Sequence, residues 1–128
     1  TRANDSAMEY YPNSEGIDVL EGQLYFISKV ERLMITLELD TGTYAMESTE
    51  GGLFQGGPDQ FKRILNDGSS ELLFFTEDGG GQAGIHARNE QGEYMTILES
   101  PIYSDETTGL AFSPDYQVMY VSYQVDGL

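Results

Sequence analysis

The sequence predicts an all-β protein, a partial β-propeller of about two and a half blades of short antiparallel strands. Three observations carry that expectation. From Ile17 onward, β-like runs recur about every eight to twelve residues and are separated by turn residues. The order of these runs then repeats: Gly42 and Tyr44 recur 50 residues later as Gly92 and Tyr94, and Ser28 recurs 48 residues later as Thr76. A period near 50 residues with four strands per unit is that of propeller blades, which close in rings of about four to eight. Finally, no stretch shows a convincing helical periodicity.

Residues 1–14 mix polar side chains with Tyr10, Tyr11 and Pro12, and are expected to form an extended arm lying on something else. The propeller domain is expected over 15–128, with blade one at 15–50, blade two at 58–100 and an incomplete blade three at 106–128. In blade one, Leu24 to Ser28 and Leu33 to Leu39 are strand-like, and Asp40-Thr41-Gly42 turns the chain into Thr43 to Met46. Blade two repeats the order with Leu72 to Thr76, Gly84 to Arg88 and, after a turn at Asn89 to Gly92, Glu93 to Leu98. Pro58 to Leu65 has a proline suited to the first turn of a helix, but repeat phase makes it the first strand of blade two. Blade three begins at Leu110-Ala111-Phe112, turns at Ser113-Pro114-Asp115 and continues through Val118 to Tyr123. Two and a half blades leave sheet edges and faces open to association.

Six basic residues stand against 22 acidic ones, giving a net charge of -16 over 128 residues. That field repels phosphate backbones and anionic lipid surfaces, so neither nucleic acid nor direct membrane insertion is expected. It favours cations or a basic protein surface. There is no cysteine, hence no disulfide framework, thiol nucleophile or thiolate metal site. No apolar run approaches the roughly 18 residues of a membrane-spanning helix. The start at Thr1 rather than methionine is consistent with removal of a targeting segment.

Acids cluster at strand ends beside glycines: Glu15-Gly16, Asp59 after Gly56-Gly57-Pro58, Glu77-Asp78 before Gly79-Gly80-Gly81, and Asp105-Glu106. Equivalent strand ends of successive blades meet near a propeller's channel, so these acids can converge into oxygen ligands for Ca2+, or form a solvated acidic rim. His86, the one histidine, lies on a strand-like run and is read as a hydrogen-bonded histidine rather than a general base or metal ligand. Most aromatics read as core, whereas Tyr10, Tyr11 and Tyr123 are candidates for a partner interface.

Several spaced motifs, in order, resemble the PhoX-like proteins, calcium-dependent alkaline phosphatases and relatives built as β-propellers. They are Glu15-Gly16, Thr76-Glu77-Asp78-Gly79, Glu106-Thr107-Thr108-Gly109, Ala111-Phe112-Ser113-Pro114-Asp115 and the strand Tyr120 to Gln124. Together they cover most of Glu15 to Gly127. The resemblance implies Glu15, Asp59, Glu77 and Glu106 as metal-facing acids, with Ca2+ as the cation. It also has departures. Active members are several times longer and use a multi-metal cluster with a cysteine-bound iron, which this cysteine-free chain lacks; Tyr116 stands where the family's Pro-Asp-Gly turn has glycine. Among short members, the chain resembles an accessory subunit on the stromal side of algal photosystem I. That likeness implies a non-catalytic subunit docked on a larger assembly in the plastid, at the stromal face of the thylakoid. The alternative is a secreted or periplasmic calcium-dependent phosphoesterase, or a fragment of one.

Overall fold

Strands that are apolar at both parities need cover on both faces of their sheet. In the computed structural model, which describes residues 2–65 and 71–124, that cover comes from stacking sheet on sheet. The first sheet is an antiparallel meander of β1 (Ser14–Leu20), β2 (Gln23–Ser28), β3 (Leu33–Glu38) and β4 (Tyr44–Ser48), in that spatial order. The second is another meander, β5 (Gly57–Leu65), β6 (Glu71–Asp78), β7 (Gly84–Asn89) and β8 (Tyr94–Glu99). A hairpin of β9 (Thr107–Phe112) and β10 (Met119–Tyr123) forms the third. The chain is thus all-β and antiparallel, apart from one short helix, and its sheets are open. The 57–65 run is a strand, as repeat phase predicts, with Pro58 at its start where a missing donor is tolerated.

The expected extended arm over 1–14 is a correction. Residues Arg2–Tyr10 form a helix, α1. Ala3, Ala7, Met8 and Glu9 are good helix formers, and Asp5 in the first turn suits the positive end of the helix dipole. With about two and a half turns of mixed polarity, propensity rather than periodicity is what marks it.

Register fixes which side chains share a face, because directly opposed residues of an antiparallel pair project to the same side. In the first sheet, Val19, Leu24, Leu37 and Tyr44 form one cross-strand row, and Ile17, Phe26, Ile35 and Met46 the next. Tyr25, Ile27 and Met34 lie on the opposite face. There they pack against Phe61, Leu73 and Phe75 of the second sheet to form the core, with Phe54 and Tyr94 closing over it. Tyr25 meets Phe61 edge-on with ring centroids 5.9 Å apart. The far face of the second sheet meets the third through Phe74 and Phe112, 5.0 Å between centroids. The first strands of the three sheets are thereby brought side by side, β1 against β5 and β5 against β9.

Candidate functional site

Glu15, Asp59 and Glu106 come together where β1, β5 and the entry to β9 meet. Glu15 and Asp59 are each placed by a break in a ladder. The β1–β2 register shifts between Ser14 and Ile17, and the β5–β6 register shifts between Pro58 and Phe61. Glu15 and Asp59 sit inside these bulges, which re-aim side chains that a regular strand would send elsewhere. Gly16 makes the approach possible: a Cβ there would lie 2.5 Å from the Phe61 nitrogen and 2.8 Å from the Asp59 oxygen. Glu106 is held by a single bridge to Asp78, beside the bond from the Gly79 N–H to the Asp105 carbonyl at 2.6 Å.

Two of the three carboxyls, Glu15 and Asp59, are perturbed. Burial, then the Asp59 charge, lifts the Glu15 carboxyl above the ordinary range. Asp59 is buried and is likewise raised, by burial first and then by hydrogen bonding with Glu106. One cation answers this group. Lys29, in the β2–β3 turn, pairs with Asp78 and lies 3.7 Å from Glu15. Burial alone would lower its ammonium, but Asp78, Asp59 and Glu15 together hold it above the ordinary lysine range.

Glu77, the fourth acid, faces away from that group. Its carboxylate and His86 are both completely buried, with Oε2 3.0 Å from His86 Nε2. Oε1 accepts the backbone N–H groups of Gln55 and Gly56, the latter at 2.9 Å. Burial pushes this carboxyl up, yet His86 and the two amides outweigh it and set it below the ordinary range. His86 Nδ1 lies 3.2 Å from Thr96 Oγ1, and Phe54 covers the ring edge-on at 4.9 Å. The histidine is a hydrogen-bonded interior one, as its strand context predicts. Gly84 leaves room for the pair, since a Cβ there would lie 2.9 Å from His86 Nε2.

The donors fit Ca2+ in chemistry, being hard oxygens, and the Lys29 ammonium stands at the edge of the group, 3.7 Å from Glu15 and paired with Asp78. Among the described residues, no group of three or more acidic, histidine or cysteine side chains is disposed to hold a metal ion. Beside the carboxyls lies a cavity of about 350 Å³, lined by Lys29, Arg32, Thr49, Glu50 and the glycines before Pro58. Of the interface tyrosines, Tyr10 is exposed on α1, and Tyr11 packs edge-on against Phe26 at 5.8 Å. Tyr123 lies elsewhere, its ring tilted 35° against that of Tyr103 with centroids 4.7 Å apart. Sequence reasoning missed Lys29; its signal was scarcity, one of six cations in an acidic chain.

With fold and site together, the class defined is an open, antiparallel all-β protein with an acidic seam answered in part by Lys29. The chain matches no family model and no curated protein sequence.

Proposed function

We propose that this chain is a non-catalytic accessory subunit, a partial propeller of about two and a half blades docked on a basic surface of a larger assembly. The assembly we infer from the sequence motifs is algal photosystem I, on its stromal side. One observation carries the reading: four of the six cations are used internally. Lys29, Arg32, Lys62 and Arg88 each pair with a carboxylate of the same chain, so the field of a -16 chain is presented to its surroundings with little local relief. Docking on a basic surface follows from such a field.

Association should therefore weaken as salt rises. In pull-downs with the full chain, partner recovery is expected in 20 mM salt and loss on the order of tenfold or more by 0.5 M, as screening shortens to about 4 Å. Failure to recover a partner at any ionic strength would sink the docking reading.

The phosphoesterase alternative draws on the convergence of Glu15, Asp59 and Glu106. Hydrolysis of a chromogenic phosphate ester by the purified chain in Ca2+ would overturn the accessory reading in its favour. Calorimetric calcium titration of the parent and of Glu106→Gln separates a residual ion site from none. A site there requires heat in the parent that the variant loses; equal or absent heats exclude it.

A further inference from the structure

We propose that the outer face of the first sheet is the docking face, and that its occupant is a partner's apolar sheet face rimmed by basic loops. This rests on the accessory-subunit reading. The inner face of the first sheet is covered by the second sheet, and the second by the third. Among the described residues the outer face has no sheet upon it, and Tyr11 covers part of its centre, edge-on against Phe26. Its two central rows carry no charge, in a chain where 22 of 128 residues are acidic. Ile17, Val19, Tyr44 and Met46 are 63%, 53%, 63% and 51% exposed along its two edge strands, while Ile35 between them is 4% exposed. A strand such as Leu33 to Leu37, apolar at both parities, belongs in a sheet covered on both sides.

The rim states the partner's chemistry. Exposed acids stand at both ends of the face, Glu21 and Asp40 in the turns at one end, Glu31 and Glu50 in those at the other, where exposed Arg32 lies 4.0 Å from Glu50 and leaves the first end the more acidic. Two copies of this chain meeting here would oppose acid to acid. Four strands about 4.8 Å apart and five residues of about 3.3 Å rise give a face of roughly 300 Å². Stable interfaces bury about 800 Å² per partner, so the apolar contact needs a charged surround, and with this rim the surround must be basic.

The test is photo-crosslinking in the source cells from the full chain carrying a photoreactive residue at Met46, with Ile97 on β8 as control. Expected is one partner protein crosslinked from Met46 and not from Ile97, the mapped peptide lying in a β-strand with Lys or Arg in its adjoining loops. Met46→Asp and Val19→Asp should each weaken binding to that identified protein by about tenfold or more without moving the melting temperature, both positions being half exposed or more. Crosslinks to a second copy, to another segment of the same polypeptide, or to a partner peptide without basic neighbours overturn the proposal. So does binding that both variants leave intact. Salt-sensitive recovery of a partner that crosslinks from Ile97 alone overturns this face and leaves the docking reading standing; no partner at any salt removes both.

Discussion

Glu77 and Asp78 are neighbours of near-identical chemistry, and strand alternation sends them to opposite environments. Asp78 reaches Lys29 at the seam; Glu77 points inward to His86 and two backbone amides. Removing the inward carboxylate strands three donors in the interior. Glu77→Ala is therefore expected to lose about 3–5 kcal/mol, a large part of a domain's stability, whereas Glu77→Gln keeps an acceptor for the amides and loses about 1–2. Urea unfolding of the two variants checks the difference, and equal losses would refute the assigned bonds. Because the folded Glu77 carboxyl sits below the ordinary range, its contribution is present above that range and is lost as pH falls through the lowered value. Asp59 has the opposite sign. Its raised carboxyl favours folding when protonated, and that contribution is lost as pH rises through the raised value. Asp59→Asn should accordingly raise Tm at pH 7, with the gain shrinking as pH falls into the ordinary carboxylate range. A lower Tm at pH 7 would show that the cost of burying the charged carboxylate does not dominate there.

Strands and turns were the legible level. Runs such as Leu72 to Thr76 combine aromatic and β-branched content with flanking turn residues, and repeat phase turned Pro58 to Leu65 into a strand against its helical look. Convergence of Glu15, Asp59 and Glu106 followed from the same phase. What stayed hidden was parity. Leu72, Leu73, Phe74 and Phe75 are apolar on both sides, so alternation gave no sign of which neighbour, Glu77 or Asp78, would be buried. The bulges beside Glu15 and Asp59 also left no pattern except Gly16, whose need is a close backbone and not a turn. Helix α1 lacked an apolar stripe to announce it. At the β9–β10 turn the sequence did speak: Tyr116 adopts φ 55°, a conformation that favours glycine, with its N–H donating to the Ser113 carbonyl at 2.8 Å. A left-handed non-glycine residue costs about 1–2 kcal/mol, partly offset in a glycine variant by extra freedom when unfolded. Tyr116→Gly should raise stability by about 0.5–1 kcal/mol in thermal melts; a loss would mean that the exposed ring contributes packing of its own.

At the scale of the molecule, three of the six cations stand between the first two sheets. Lys29 joins the β2–β3 turn to Asp78 of β6, Lys62 of β5 lies 2.8 Å from Asp18 of β1, and Arg88 of β7 pairs with Glu47 of β4. All three pairs tie the first sheet to the second. Two electrostatic effects then compete in the folded state: these short bridges hold the sheets together, and 22 acids against six bases push the whole chain apart. Salt separates them by range. Screening over about 10 Å at 0.1 M removes much of the diffuse repulsion, whereas charges in direct contact and partly buried are screened far less. The melting temperature should therefore rise by several degrees between about 10 mM and 0.5 M NaCl. Arg88→Gln should lower Tm at every salt concentration while keeping the same upward slope, because it removes a contact and leaves the repulsion in place. If the parent melts lower as salt rises, the three bridges outweigh the net charge, and the fold is held mainly by attraction between its first two sheets.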